Sequence, residues 1–133
     1  MCKNLVEKGN LSRPLIIYNR TLKRSQSLNA SLPPGKSVVA TTISELVSKS
    51  DIIFTCVSDD AGIDQTIDEA LKENVKGKLF VDCSTVHPET SEGLQKRLTD
   101  AGAEFVAGPV FGPPAAADAG TCESTLRNGC KSY

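Results

Sequence analysis

An α/β protein with a doubly wound, mainly parallel sheet is what these 133 residues imply, and three observations lead there. Five short apolar runs rich in β-branched residues barely alternate in polarity, as expected of strands covered on both faces. A helix-like segment separates each run from the next, which implies βαβ units with right-handed crossovers. Helix boundaries fall on suitable residues: Thr21 ahead of one helix, Pro88 in the first turn of another, and Gly102 behind it.

Residues 1–9 read as the last turns of a helix, with Leu5 and Val6 apolar and Gly9 as terminator. A strand over 15–18 is followed by a short helix over 21–30, capped by Thr21. A strand over 38–40 leads to a helix over 42–49, with Ile43, Leu46 and Val47 on one side. The apolar run 52–57 precedes a helix over 59–73 whose stripe is Ile63, Ile67, Ala70 and Leu71. A strand over 79–81, a helix over 88–101 with Leu94 and Leu98 one turn apart, and a strand over 104–110 complete the alternation. Residues 108–120 combine a strand end, tight turns and a short Ala-rich helix. The expected division is a domain over 1–120 and a flexible or weakly packed tail over 121–133.

In the strand order 3-2-1-4-5-6, the central first strand and its Gly-rich loop would lie ahead of residue 1, so the expected sheet is incomplete. The strands at Leu15 and Ile52 then lack their shared partner. Either the chain is marginal, or these two strands pair directly.

Composition narrows the function. A formal net charge of −1 provides no global field for nucleic acid or an anionic membrane. No apolar run approaches the ~20 residues that span a bilayer, and residues 1–10 lack the apolar core of a secretory signal. Five scattered cysteines, Cys2, Cys56, Cys83, Cys122 and Cys130, fit reduced thiols better than a zinc site or disulfide framework. The expected compartment is the cytoplasm, with the mitochondrion as the alternative.

The strand at 15–18 runs straight into Asn19-Arg20-Thr21. In a dinucleotide-binding α/β fold the second strand ends beside the adenosine ribose, where Asp or Glu would bond the ribose hydroxyls of NAD. Arg20 offers instead a fixed cationic fork suited to the 2′-phosphate of NADP. Asn19 and the backbone at Thr21 would orient the adenosine, the amides of the helix start adding to an anion site. The bland alternative is an exposed arginine behind an edge strand, with Lys23 and Arg24 solvating a helix.

Thr55-Cys56-Val57-Ser58-Asp59-Asp60 ends the most apolar strand. Backbone at Val57 and Ser58 would approach a dinucleotide, while Ser58 or Asp59 would cap the next helix. The acidic pair also suggests a phosphoryl-accepting receiver, but the late lysine that architecture needs is missing. In Asp82-Cys83-Ser84-Thr85-Val86-His87-Pro88, Ser84 and Thr85 would present hydroxyls at the crevice. A thiol hydrolase built on Cys83 and His87 is disfavoured, because His87 lies in a turn and Cys83 reads as a small buried hydrophobe.

Taken in order, these segments resemble the NADP-binding domain of the β-hydroxyacid dehydrogenase family. Its members include 3-hydroxyisobutyrate dehydrogenase, glyoxylate/succinic semialdehyde reductases and, more distantly, 6-phosphogluconate dehydrogenase. Residues 1–5 resemble the end of the family's first helix. Tyr18-Asn19-Arg20-Thr21 resembles its NADP-preferring second strand end, and residues 51–60 resemble the strand and loop that pass the dinucleotide. Residues 81–88 resemble its Asp-x-Ser-Thr-x-x-Pro segment, and Gly108-Pro109-Val110-Phe111-Gly112 its substrate loop. The resemblance implies a Rossmann-type sheet, Thr85 near the nicotinamide, and Ser84 and Gly112 at the substrate. Departures stand beside it. The Gly-x-Gly-x-x-Gly loop is absent, the usual Ser-Gly-Gly is Phe111-Gly112-Pro113, and the helical second domain with the family's catalytic Lys and its assisting Asn is missing.

The resulting expectation is an NADP-binding domain of an oxidoreductase that moves hydride between NADP(H) and a small hydroxyacid or aldehyde acid. It would be truncated at both ends and catalytically incompetent as this chain. The cofactor residues would be Asn19, Arg20, Thr21, Val57, Ser58 and Thr85, with no catalytic or metal-ligating residue and with NAD as second choice of cofactor. The other reading is a non-catalytic interaction module or truncated gene product, forming a homo-oligomer or pairing with a full-length homologue.

Overall fold

A computed structural model describes residues 1–124. The element order is α1 (Cys2–Lys8), β1 (Leu15–Ile17), α2 (Leu22–Ser31), β2 (Ser37–Val39), α3 (Ile43–Lys49), β3 (Ile52–Thr55), α4 (Asp60–Ala70), β4 (Leu79–Asp82), α5 (Pro88–Asp100), β5 (Glu104–Ala107), β6 (Val110–Phe111), α6 (Pro114–Ala119) and β7 (Glu123–Ser124). The alternation of short apolar strands and helices is the expected one, and the sheets formed by β1 to β5 are parallel.

Strands β3, β4 and β5 lie side by side in that order, with Ile53 beside Phe80 and Phe80 beside Phe105. This row turns into the core, where Val47 of α3, Ile63 and Ile67 of α4, and Leu94 and Leu98 of α5 are buried against it. The helical stripes read from spacing are the ones that close on the sheet. Alternate residues of β3, Ile52 and Phe54, point to the other face and stay 55% and 47% exposed.

Helix starts are fixed locally. The Thr42 hydroxyl accepts the Glu45 N–H at 3.0 Å while Glu45 Oε2 accepts the Thr41 N–H at 2.9 Å, a reciprocal capping arrangement for α3. Asp59 Oδ1 accepts the Gly62 N–H at 2.7 Å to cap α4, and Pro88 occupies the first turn of α5. Gly102, at φ +83°, turns the chain from α5 toward β5, a conformation that side chains with a Cβ disfavour.

Three expectations need correction. Strands β1 and β3 do not pair directly: among the described residues, β1 bonds only to β2, and β3 only to β4. Helix α3 packs against both β1 and α4, so the two sheets are held as separate flanks of one cleft. The run expected as one strand over 104–110 is interrupted at Gly108-Pro109, although the Gly108 N–H still reaches Asp82 O at 2.8 Å and the Val110 N–H reaches Cys83 O at 3.3 Å. Val110–Phe111 pairs antiparallel with Glu123–Ser124, two residues of the segment expected as the tail. The remainder of that tail, residues 125–133, lies outside the described residues. Helix α4 also ends at Ala70, short of residue 73.

Candidate functional site

The two sheets border a cleft of about 670 Å³ at the carboxyl ends of β1 and β3. One wall is Tyr18, Asn19, Arg20, Thr21 and Arg24; the other runs from Ile53 to Asp59. Helices α3 and α4 form its floor, with Leu46, Val47 and Ala70 among the lining. Strand carboxyl ends are where open α/β sheets place their ligand crevice.

The turn after β1 is set by Asn19, whose Oδ1 accepts the Thr21 N–H at 2.8 Å. That amide, expected to contribute to an anion site, is therefore engaged within the chain. Thr21 does stand at the N-cap of α2, but its hydroxyl accepts no capping bond. Arg20 projects from this turn. Arg24, one helical turn on, lines the same cleft, although its sequence position reads as a solvating residue.

Charges in the cleft are unequally committed. Asp68 pairs with Arg97, Glu69 pairs with Lys72 at 2.6 Å, and Asp59 caps α4. No ion pair among the described residues engages Arg20 or Arg24. Two guanidiniums thus face one end of the cleft without a carboxylate partner, an arrangement that suits a phosphate.

The opposite wall is braced from β4. Asp82, 2% exposed, accepts the Thr55 hydroxyl at 2.9 Å and the Ser84 N–H at 3.1 Å, both on Oδ1. Ser84, 5% exposed, accepts the Val57 N–H at 3.0 Å on its hydroxyl oxygen. These bonds fix the path of residues 55–58 past the cleft. Asp60 acts in the next layer: its Oδ1 accepts the Thr90 hydroxyl at 2.5 Å and the His87 N–H at 3.0 Å, tying the starts of α4 and α5 together. Those two bonds hold its carboxyl below the usual carboxylate range. Burial, with the neighbouring Cys56 thiol and Asp82 carboxylate, pushes the Cys83 thiol up to about 11. Cys56, which lines the cleft, is pushed up as well, again chiefly by desolvation.

Of the expected cofactor residues, the structure gathers Asn19, Arg20, Thr21, Val57 and Ser58 around this cleft and leaves Thr85 outside its lining, exposed beyond β4. Ser84 and Gly112 do not line it either. Gly112 lies at φ +147°, where an added Cβ would come within 3.0 Å of the Cys122 sulfur and 3.3 Å of the Ala116 Cβ. Spacing could not reveal Arg24 or the Asp82 brace. Its only hint of Arg24 was an arginine four residues after Arg20, and the brace joins residues 27 positions apart.

Comparison with known proteins places the chain. Residues 1–126 match the family model described as the NAD binding domain of 6-phosphogluconate dehydrogenase. A relative from Aspergillus ustus, "NADH-dependent oxidoreductase ucdB", is 42% identical over 114 residues, covering 86% of this chain and 39% of the relative. The structure of Mycobacterium tuberculosis 3-hydroxyisobutyrate dehydrogenase with L-serine superposes at TM-score 0.81 and 19% identity, covering 94% of this chain and 40% of that one. The structure described as "Psf3 in complex with NADP+ and 2-OPP" gives 0.79 at 25% identity, covering 94% and 43%. The chain therefore spans about two fifths of the length of these proteins. It belongs to the family of the NAD binding domain of 6-phosphogluconate dehydrogenase, the Rossmann-type NAD(P)-binding domain shared with 3-hydroxyisobutyrate dehydrogenase.

Proposed function

We propose that this chain binds NADP(H) as the cofactor domain of an oxidoreductase that moves hydride between the nicotinamide and a small hydroxyacid or aldehyde acid. The observation that supports it above all is the pair of guanidiniums, Arg20 and Arg24, without an ion-pair partner among the described residues at one end of a cleft whose carboxylates are committed elsewhere. Arg20 and Arg24 hold the 2′-phosphate. Asn19 sets the turn that aims Arg20 by keeping the Thr21 N–H. Val57 and Ser58 give the dinucleotide a close backbone, and Ser84 and Asp82 keep that backbone in place. Thr85 faces the nicotinamide end, and Gly112 belongs to the substrate side. Ser84 acts here through Val57, since its buried hydroxyl oxygen is already engaged there. When bound, the nicotinamide supplies or accepts the hydride.

The chain by itself is proposed to bind without turnover. Neither a lysine nor a histidine lines the cleft, so the described residues bring no such general acid to a carbonyl there, a group that contributes ~10²–10⁴-fold to rate. Purified chain given NADPH and a small aldehyde acid is expected to show no oxidation of the cofactor; steady consumption would overturn this part.

The test of the cofactor reading is a fluorescence titration of NADPH and NADH against the chain and Arg20→Asp. The substitution is expected to weaken NADPH by ~10-fold or more, in keeping with the loss of a charge-assisted bond, and to change NADH little. Equal losses for both cofactors would remove the role given to Arg20. NADH as the natural cofactor is the second reading, favoured by the name of the Aspergillus relative. It predicts tighter NADH than NADPH binding by the unaltered chain.

A further inference from the structure

Cys56 and Cys83 stand opposite each other, one step beyond the paired strands β3 and β4. The register places Thr55 beside Asp82, and the two chains stay together past it. The Cys83 N–H reaches Thr55 O at 2.8 Å, and the Val57 N–H reaches the Ser84 hydroxyl oxygen at 3.0 Å. Thr55 and Asp82 bond through their side chains, so both point to one face of the sheet and the next residue on each chain points to the other. The two thiols therefore share a face. Neighbouring strands lie ~4.8 Å apart, inside the ~4.4–6.8 Å between Cα atoms that a disulfide bridges. The thiols already act on each other, since Cys56 is, after desolvation, a cause of the raised Cys83 pKa. Cys56 is exposed and lines the cleft, whereas Cys83 is 7% exposed. One sulfur meets a dissolved oxidant and the other does not.

We propose that Cys56 and Cys83 form a reversible disulfide with a small-molecule disulfide as oxidant, and that this bond loosens the hold of the cleft on NADP(H). The Cys56 thiolate attacks one sulfur of glutathione disulfide. That S–S bond breaks, and one glutathione leaves as thiolate and takes up a proton. Cys83 gives its proton to solvent, and its sulfur attacks the Cys56 sulfur and expels the second glutathione. Two protein thiols are thereby oxidised to one disulfide, while one glutathione disulfide is reduced to two glutathiones. Closure draws the two Cβ atoms to ~3.8 Å, nearer than the ~4.8 Å spacing of the strands. Val57 and Ser58 follow Cys56 directly and line the cleft, and in the reduced chain the Asp82 and Ser84 bonds set their path. The strain of closure falls on that backbone. A strained disulfide within reach of solvent is also the kind that glutathione reduces again. The bond rests on the strand register; its effect on the cofactor rests on the proposed NADP(H) reading.

The experiment incubates the full chain with glutathione disulfide at pH 8 and follows the products by peptide mass spectrometry without reductant. The unaltered chain is expected to yield a linked pair of peptides carrying Cys56 and Cys83, and excess reduced glutathione is expected to undo the link. Cys83→Ser, with Cys83→Ala as a second variant, is expected to stop at glutathione on Cys56. Titration of NADPH then compares the linked chain with the reduced chain and with Cys83→Ser treated alike. The link is expected to weaken NADPH ~10-fold, within the ~5–150-fold of ordinary coupling between sites, and saturating NADPH is expected to disfavour the link in return. Glutathione that stays on Cys56 in the unaltered chain as it does in Cys83→Ser would overturn the bond. So would a link from Cys56 to Cys2, whose thiol also acts on Cys56. A linked chain that binds NADPH as tightly as the reduced one would overturn the effect on the cleft. A reduced chain that binds no NADPH would overturn the cofactor reading and that effect with it, and the linked peptides would still decide the bond.

Discussion

Asp82 Oδ1 takes the Thr55 hydroxyl at 2.9 Å, a bond between buried side chains that stand opposite each other on neighbouring strands β4 and β3. The same oxygen takes the Ser84 N–H, and Ser84 in turn holds the Val57 N–H. One carboxylate therefore sets the geometry of both strand ends at the cleft. Asp82→Ala would strand a buried hydroxyl and a buried amide, and each such group costs ~1–3 kcal/mol. The urea midpoint of Asp82→Ala is expected to fall by a corresponding amount, with less loss in Asp82→Asn, which keeps an oxygen acceptor. A midpoint unchanged in Asp82→Ala would show that the brace contributes nothing.

Arg24 shares the cleft with Arg20 and has no ion-pair partner among the described residues. It lies on an exposed helix surface, so solvent screens its contribution. Arg24→Ala is expected to weaken NADPH ~3-fold to 10-fold, less than Arg20→Asp, with little effect on NADH. The difference from the unaltered chain should shrink as salt rises. Titrations at two ionic strengths check this, and a salt-independent loss would point to a packing role instead.

Glu45 gives the acid limb a sign. The Lys49 side chain first, then the Thr41 N–H, lowers its pKa from the ordinary 4.5 to about 2. A carboxylate with a folded pKa below its unfolded value adds stability above the unfolded pKa and loses it as pH falls through the folded one. That window here runs from pH 4.5 down to about 2. Asp60, lowered by Thr90 and His87, acts in the same direction. Thermal melts across the window are expected to show a shallower acid decline for Glu45→Gln than for the unaltered chain. Parallel curves would mean that the pairing is lost in solution.

The strands and helices from β1 to α5 were legible because their signals are local. Runs such as Ile52-Ile53-Phe54 have no reading but a strand, and Leu94 and Leu98 mark one helix face. Gly108-Pro109 carried a local signal as well, and the apolar residues on either side of it obscured the break between β5 and β6. The cleft was half legible. Arg20 follows directly on a strand, where topology predicts a ligand, but Arg24 sits among polar helix residues whose periodicity points to solvent. The job of Ser84 was illegible for a different reason. A serine after a strand suits a substrate contact and a loop brace equally, and only the folded path of Val57 decides between them.

Cys83 and Cys56 offer a direct probe of the cleft. Thiolate is the reactive form, and burial pushes the Cys83 pKa to about 11, with the Cys56 thiol and Asp82 adding to it. That is two units above its ordinary 9.0, about a hundredfold less thiolate at any pH below both values. Cys56 is also raised, but it is exposed and lines the cleft. Iodoacetamide at pH 8, followed by peptide mass spectrometry, is expected to label Cys56 well before Cys83. NADPH at saturation should then slow Cys56 while leaving Cys122, outside the cleft lining, unaffected. Equal rates for Cys56 and Cys83 would contradict the burial assigned to β4's end, and labelling of Cys56 indifferent to NADPH would place the cofactor elsewhere.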